Sequence, residues 1–206
     1  MASISQDRSG RVFDNKLLEI LSRTSPTIIW TAYIPLLCSL IFVDVYFFGR
    51  TAWQVAALFL GAVLSWSLAE YILHRYVFHF INDNSWVQKF HNYTHGYHHA
   101  HPRDKAHLFM PVPLGFLAAG IFLGLFYLLM GSVAFSFLPG FLVGYLIYAT
   151  VHYQMHIHPQ APYKFLRSLW RHHHLHHFKH HDAAFGVSST LWDHVFRTMP
   201  LGKSNP

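Results

Sequence analysis

Four stretches of the chain are long and apolar enough to cross a bilayer, and polar segments separate them. They cover about 27–48, 52–73, 111–131 and 133–152. A helix needs about 20 predominantly apolar residues to span roughly 30 Å of hydrocarbon, so each stretch is sufficient. The pattern predicts an all-α integral membrane protein with four transmembrane helices.

The short connections between these stretches predict two helical hairpins. A polar turn at 49–51 joins the first pair, and Gly131 and Ser132 join the second pair. The pairs Gly120/Gly124 and Gly140/Gly144 have the four-residue spacing of close helix-packing faces. We therefore expect two tight hairpins whose helices approach through small residues.

A polar arm at 1–26 precedes a membrane domain at 27–206. Within the arm, residues 11–22 are amphipathic, since Phe13, Leu17 and Ile20 can share one helix face with Leu21. This pattern predicts a helix that lies in the membrane interface. The arm carries no apolar core of the kind that a cleavable signal peptide needs.

Composition agrees with a membrane protein. Hydrophobic residues make up 52% of the 206 residues and charged residues only 12%, which is about half the charged fraction of soluble chains. The net charge is +6, and the lone cysteine, Cys38, excludes an intrachain disulfide. A nucleic-acid partner is not expected for such a chain.

The positions of Lys and Arg predict the orientation of the chain in the bilayer. Of the 15 basic residues, only Arg50 lies in a hairpin turn, and the others lie in the arm, in 74–110 or in 153–206. Short basic segments stay on the cytosolic side. We therefore expect both termini and both segments to be cytosolic, in a bacterial inner membrane or the endoplasmic reticulum.

All 19 histidines lie within 74–107 and 152–194, which are the two predicted cytosolic segments together with His152, the last residue of the fourth span. Ten of them form four motifs with the spacings HxxxxH, HxxHH, HxxxH and HxxHH. These ten are His74, His79, His95, His98, His99, His152, His156, His173, His176 and His177.

The spacings indicate a metal centre with two ions. Residues three and four apart share one helix face, so each HxxHH should direct three imidazoles one way, and His152 should pair with His156. His74 and His79 are five apart, about 140° around an α-helix, which suits two ions better than one. Ten imidazoles divided between two ions give about five each and leave a position open.

Ligand type alone leaves the metal undecided, because imidazole accepts Zn, Fe, Cu and Ni. Structural zinc sites are usually closed and cysteine-rich, and no cysteine lies near these motifs. An open nitrogen-rich site at a bilayer edge is better suited to oxygen chemistry on lipid. The alternative is a histidine-rich tract that buffers metal.

Three carboxylates are candidates for orienting these imidazoles from a second layer: Glu70, one turn before His74, and Asp182 and Asp193. The remaining nine histidines are expected to be ordinary surface or satisfied residues. They are His91, His101, His107, His158, His172, His174, His180, His181 and His194.

The four motifs, in this order, resemble those of the fatty acid hydroxylase superfamily, and most closely the fatty acid 2-hydroxylases. The resemblance covers roughly 60–200. Beyond the histidines it includes Glu70-Tyr71, Arg75-Tyr76, Phe109-Met110-Pro111, Phe185-Gly186-Val187-Ser188-Ser189 and Leu191-Trp192-Asp193. The His-Ile-His at 156–158 departs from the double histidine common in the family, and His156 keeps the required spacing.

The resemblance implies a non-haem centre with two iron ions, dioxygen as co-substrate and an external electron donor of the cytochrome b5 or ferredoxin type. Zinc could replace iron in purified protein. Many eukaryotic members carry an N-terminal cytochrome b5 domain, for which we expect no room in this chain.

The expected activity is hydroxylation of a lipid acyl chain, preferably at C2. The same chemistry on a sterol, a carotenoid ring or a lipid head group remains an alternative. A metal transporter or a non-enzymatic metal-binding membrane protein is a further alternative, although transporters place ligands near the bilayer midplane. A purely structural membrane protein would leave the histidine spacing unexplained.

Overall fold

The computed structural model describes residues 10–200, and within that range all regular structure is helical. The nine α-helices are α1 (Lys16–Ser22), α2 (Pro26–Phe48), α3 (Ala52–Ile72), α4 (Ser85–His91), α5 (Tyr97–Ala100), α6 (Val112–Met130), α7 (Ala134–Ile157), α8 (Arg167–Phe178) and α9 (Leu191–Val195). π-helical turns follow α3 at Leu73–Phe78 and α4 at Asn92–Gly96, and 3-10 turns lie at Gly131–Val133 and Lys164–Leu166.

Local sequence signals fix where the long helices begin and end. Ser25 caps α2 by accepting a hydrogen bond from the Ile28 amide, and Pro26 occupies its first turn. Thr51 and Gln54 form a reciprocal capping box at the start of α3. Between them, Gly49 has a φ of 63°, a left-handed conformation that glycine adopts without strain.

Three helical stretches within 10–200 are long and apolar enough to cross a membrane: Pro26–Phe48, Ala52–Phe78 and Val112–Ile157. They leave large apolar side chains such as Leu64, Trp53 and Leu128 exposed, as expected of a membrane protein.

The third stretch is 46 residues long and folds back on itself. It turns at Gly131, whose φ of 60° breaks the helix. As a result, the ring of Phe126 lies 5.0 Å from that of Phe137 and 5.2 Å from that of Phe141. A straight helix rises 1.5 Å per residue and would hold these rings far apart. Helices α6 and α7 therefore form the expected second hairpin.

Helix α7 lies at the centre and packs against α2, α3 and α6. Its closest approach is to α3, because Gly140 and Gly144 have no side chains there. A Cβ at Gly140 would lie 2.1 Å from the Phe59 carbonyl oxygen, and one at Gly144 would lie 2.4 Å from the Trp66 Cβ. The four-residue glycine spacing of α7 is therefore a packing face.

The corresponding expectation for Gly120 and Gly124 in α6 is wrong. A Cβ at either position would meet no described atom within 4 Å. These glycines point away from α7, which α6 contacts instead through phenylalanine rings such as Phe122 and Phe126.

A buried ion pair joins the two hairpins at the end far from the histidines. Asp44 in α2 is fully buried and accepts a hydrogen bond from Arg50 at 2.8 Å and another from Ser136. Arg50 also donates to Ser132 in the second turn, at 2.9 Å.

The N-terminal arm lies against the segment between α4 and α6. The Thr24 amide donates to the Ala106 carbonyl at 2.9 Å, and the Phe13 ring stacks on Tyr93. Helix α1 occupies only the second half of the predicted 11–22 helix. Leu17 and Ile20 are exposed on it, as a membrane-facing side requires. Residues 1–9 of the predicted arm and 201–206 of the predicted C-terminal segment lie outside the described range.

Candidate metal centre

The structure brings the ten motif histidines together as two groups of five. Each histidine offers one ring nitrogen, and these atoms lie within 4.8 Å of one another within each group. The neighbouring rings approach through their Nε2 atoms. Group one comprises His74, His79, His95, His99 and His176, and group two comprises His98, His152, His156, His173 and His177. Four elements supply them: the π-helical end of α3, the α4–α5 region, the end of α7, and α8.

His74 and His79 both belong to group one, contrary to the expectation that they would serve different ions. The reason is the π-helical turn over Leu73–Phe78, in which the His79 amide donates to the His74 carbonyl five residues earlier. A π-turn is wider than an α-helical turn, because its hydrogen bond joins residues five apart. Residues five apart therefore lie closer to one face than the separation of about 140° that they would have in an α-helix.

Each HxxHH motif is divided between the groups instead of pointing three rings one way. His95 and His99, four apart, enter group one, whereas His98 enters group two. In α8 the pair four apart, His173 and His177, enters group two, and His176 enters group one. The α5 region and α8 thus face each other across the boundary between the groups. His152 and His156, four apart on α7, both enter group two as expected.

The spacing of the Nε2 atoms fits metal ligation. Adjacent pairs lie 3.1 Å apart for His74 and His95, and 2.8 Å apart for His156 and His173. If two imidazoles bound one ion through metal–nitrogen bonds of about 2.1 Å that meet at 90°, their nitrogens would lie about 3.0 Å apart. Five ligands so spaced could hold one ion and would leave room for one small ligand.

Several of these histidines lie outside the membrane-spanning segments. Their burial favours the neutral imidazole, which is the form that binds metal. Desolvation, followed by repulsion from neighbouring histidines, holds the pKa values of His95, His98 and His173 well below the ordinary value. The same causes lower the pKa of His79 to about 3, and burial lowers the pKa of His176 to about 4. Neutral imidazoles can coordinate without first losing a proton.

A loop at 183–189 orients two rings of group one. The His74 Nδ1 donates to the Phe185 carbonyl at 2.6 Å, and the His176 Nδ1 donates to the Ala183 carbonyl at 2.8 Å. Between these carbonyls, Ala184 has a φ of 62°, a conformation that L-residues rarely adopt. Because a carbonyl oxygen can only accept, these contacts select the tautomer that carries the proton on Nδ1. The Nε2 of each ring then has a free lone pair directed at the group.

Glu70 and Asp193 hold this loop and do not contact the ten imidazoles. Glu70 accepts hydrogen bonds from the Val187 and Ser188 amides at 2.6 and 2.9 Å, and from the Ser188 hydroxyl. Asp193 accepts from the Phe185 and Gly186 amides at 2.9 and 2.8 Å. The expectation that either carboxylate bonds a ligand ring directly is therefore corrected to an action through the loop.

The third predicted carboxylate, Asp182, is exposed and has no hydrogen-bond partner among residues 10–200. Its expected contact with an imidazole is absent from that range. It immediately precedes the loop in the sequence.

His172 has a structural role that the sequence did not indicate. It is buried, and its Nε2 lies 3.0 Å from an Asp193 carboxylate oxygen. Asp193 also accepts from Thr198, and these contacts keep its pKa below the usual range although burial opposes this. The other eight histidines outside the motifs lie outside both groups.

The loop carbonyls were not predictable as functional groups, because backbone oxygens leave no residue-type signal. The sequence marked part of this loop, Phe185-Gly186-Val187-Ser188-Ser189, only as a segment that resembles the family, and the left-handed conformation of Ala184 is visible only in the folded chain.

A sequence model described as fatty acid hydroxylase matches residues 59–198. The chain is 35% identical over 191 residues to a dihydroceramide fatty acyl 2-hydroxylase of Arabidopsis thaliana, covering 92% of this chain and 80% of that protein. It is 34% identical to a human fatty acid 2-hydroxylase, covering 92% of this chain and 56% of that protein.

A ceramide very long chain fatty acid hydroxylase of Saccharomyces cerevisiae is 35% identical, covering 96% of this chain and 51% of that protein. This chain therefore spans about half the length of the yeast and human relatives. A solved structure of full-length scs7p, in which only the hydroxylase domain is visible, superposes with a TM-score of 0.83 at 33% identity, over 94% of this chain and 73% of that one.

Proposed function

The chain belongs to the fatty acid hydroxylase family, and from that premise we propose that it is a membrane-bound dimetal oxygenase that hydroxylates a lipid acyl chain. The relatives named as fatty acid or fatty acyl 2-hydroxylases support C2 as the position attacked. The names of the plant and yeast relatives support a fatty acyl chain in amide linkage, as in a ceramide.

The observation that carries this proposal is the pair of five-histidine groups at the ends of two long apolar helices. His74 lies directly after α3, and His152 and His156 lie in the last turns of α7. An acyl chain that remains among the apolar helices can reach such a site without leaving the membrane. When bound, the two metal ions, proposed to be iron, would supply dioxygen activation and C–H hydroxylation.

The protein's own contribution is to hold neutral imidazoles in fixed orientation and to exclude water. All five rings of group two are buried, as are three of group one. The 183–189 loop fixes two tautomers through its carbonyls. Imidazole also accepts zinc, so metal found after purification need not be the native ion.

The reaction requires an electron source. Converting a C–H bond and dioxygen into C–OH and water consumes two electrons and two protons. Repeated turnover therefore depends on a reductant, and we propose an external electron donor of the cytochrome b5 or ferredoxin type.

We propose four membrane crossings, by α2, α3, α6 and α7, with both termini and the histidine groups on the cytosolic side. The basic-residue distribution supports this orientation. The fold-back at Gly131 supports counting α6 and α7 as separate spans. The membrane would be a bacterial inner membrane or the endoplasmic reticulum.

Isotopic labelling tests the activity. Purified protein in lipid, given ferredoxin, its reductase and a ceramide, should add one oxygen atom to the acyl chain, and the atom should derive from ¹⁸O₂ gas. Without the reductant, at most one turnover is expected. Product without gas-derived label would refute the oxygenase proposal.

The position of the label separates the alternatives. Label on a sterol, a carotenoid ring or a lipid head group would keep the chemistry and replace the substrate. Metal-dependent transport in vesicles without any oxygenated product would favour the transporter. The location of both groups at helix ends argues against that alternative, because transporters bind near the bilayer midplane.

A further inference from the structure

The two histidine groups differ in what their outer ring nitrogens contact. In group one, the Nδ1 atoms of His74 and His176 both donate to backbone carbonyls of the 183–189 loop. In group two, no described residue accepts a hydrogen bond from any of the five Nδ1 atoms. Those of His98, His173 and His177 are completely buried.

This difference bears on metal binding because of what an outer hydrogen bond does to an imidazole. It fixes the tautomer and ring orientation and raises the basicity of the coordinating nitrogen. Loss of such a partner typically lowers metal affinity by about 10–100-fold. The outer nitrogens of group two have no such partner among the described residues. Three of them, on His98, His173 and His177, are buried, so each loses contact with solvent without gaining a protein acceptor.

Burial adds to the difference. His79 and His99 in group one remain partly exposed, whereas all five rings of group two are buried. A divalent ion in group two must give up more hydration, and desolvation of charge is costly. The carboxylates of Glu70 and Asp193 both bond to the loop that carries the group-one acceptors.

The acceptors of group one are themselves held in place. Glu70 fixes the loop from α3 through Val187 and Ser188, and Asp193 fixes it from α9 through Phe185 and Gly186. Both carboxylates therefore act on His74 and His176 indirectly, through the loop backbone that bonds to the carboxylates on one side and to the imidazoles on the other. Neither has a corresponding route to a ring of group two, except that Asp193 bonds His172, the neighbour of His173.

We propose that the two metal ions bind with unequal affinity, the ion in group one about 10–100-fold more tightly, and that Glu70 is the positioning residue that sustains the difference. This inference rests on the proposed function only in requiring that both groups bind metal. It concerns the order of loading: group one fills first, and the protein becomes competent for a two-ion reaction only when group two fills.

Metal titration without turnover tests the inference. The full chain in detergent, stripped of metal, would be titrated with Zn²⁺ against a chromophoric chelator. Two binding events at least 10-fold apart in Kd are expected. His176→Ala should remove the tighter event, and His173→Ala should remove the weaker one, which assigns each event to its group.

Glu70→Gln should weaken the tighter event by about 10-fold or more and leave the weaker one unchanged. Asp182→Asn is the matched control, since this exposed carboxylate next to the loop has no described partner, and its two events should equal those of the parent. Ser188→Ala removes only one of the three bonds to Glu70, so it provides a milder variant if Glu70→Gln does not fold.

Two events of equal affinity in the parent protein would overturn the inference, as would assignment of the tighter event to His173. An equal effect of Glu70→Gln on both events would overturn the role of Glu70. Absence of any zinc binding would instead refute the metal centre itself, so the two failures are distinguishable.

Discussion

At the scale of single residues, the surroundings of the two ring nitrogens determine the role of each histidine: the direction of its Nε2 and the hydrogen-bond partner of its Nδ1. His176 is completely buried with Nε2 toward group one and Nδ1 on the Ala183 carbonyl. His194 is exposed and bonds only the Thr190 carbonyl within its own turn. The two side chains have the same chemistry, and their surroundings give them different roles.

Single alanine substitutions should therefore remove one ion and not both. We expect His176→Ala to lose the ion of group one and His152→Ala to lose the ion of group two, each with activity below detection. Metal analysis by mass spectrometry should return about one ion per chain for each variant and two for the parent.

The matched control is His194→Ala, which should retain two ions and most of the activity. His107 also lies outside the motifs, but His107→Ala is a poorer control. Its Nδ1 lies 2.8 Å from an Asp104 carboxylate oxygen and its Nε2 lies 3.5 Å from a Glu19 carboxylate oxygen, so the substitution would remove structural contacts. If His152, His176 and His194 variants all kept two ions, the assignment of ligands would be wrong.

At the scale of elements, the contact between α3 and α7 sets the distance between the two helix ends that carry His74 and His152. The contact is close because Gly140 and Gly144 place backbone against Phe59 and Trp66. Any side chain at these glycines would force the helices apart.

We predict that Gly144→Ala destabilises the protein by about 1–3 kcal/mol, as overpacking of a tight contact usually does. Gly140→Ala should behave similarly, since its Cβ would meet backbone atoms that cannot rotate away. The measurement is thermal unfolding in detergent, monitored by the release of metal.

Gly124→Ala provides the control, because a Cβ there meets no described atom within 4 Å and alanine favours helix. This variant should be as stable as the parent or slightly more so. Equal destabilisation by Gly124→Ala and Gly144→Ala would contradict the assignment of the packing face.

At the scale of the whole molecule, the Asp44–Arg50 pair joins the two hairpins at the end opposite the metal groups. Arg50 bonds Asp44 of the first hairpin and Ser132 of the second, and it is only slightly exposed. Removing one member of a buried pair leaves an unpaired charge, which typically costs about 3–5 kcal/mol.

We therefore expect Arg50→Ala to lower the thermal midpoint strongly, and Asp44→Asn to recover part of the loss in the double variant. A double-variant cycle measures the coupling. If the two substitutions lowered the midpoint additively, Asp44 and Arg50 would not be energetically coupled.

Topology is the second prediction at this scale. A reporter at either terminus should be accessible from the cytosol, and a tag inserted beside Arg50 should be accessible only from the opposite side. Termini on opposite sides would require an odd number of crossings and would contradict the four-span proposal.

Much of the fold follows from patterns that the chain carries locally. Apolar stretches of bilayer length specified four long helices, and the structure places them within a few residues of their predicted bounds except that α7 runs on to Ile157. The bilayer requires every backbone group of a span to be bonded within its own helix, so length and composition are sufficient. The candidate ligands were also evident, because ten imidazoles at helical spacings near two helix ends are a strong residue-type signal.

Tertiary structure decided how those ligands are shared and oriented. The partition of each HxxHH motif depends on how α5 and α8 face each other, and the pairing of His74 with His79 depends on a π-turn that helical periodicity does not predict. The sequence could not distinguish Gly140 from Gly120 either, since both have the same spacing and only a neighbouring helix gives it meaning. The carbonyls of the 183–189 loop belong to the backbone, so contacts between distant parts of the chain, and not residue type, determine that they orient the imidazoles.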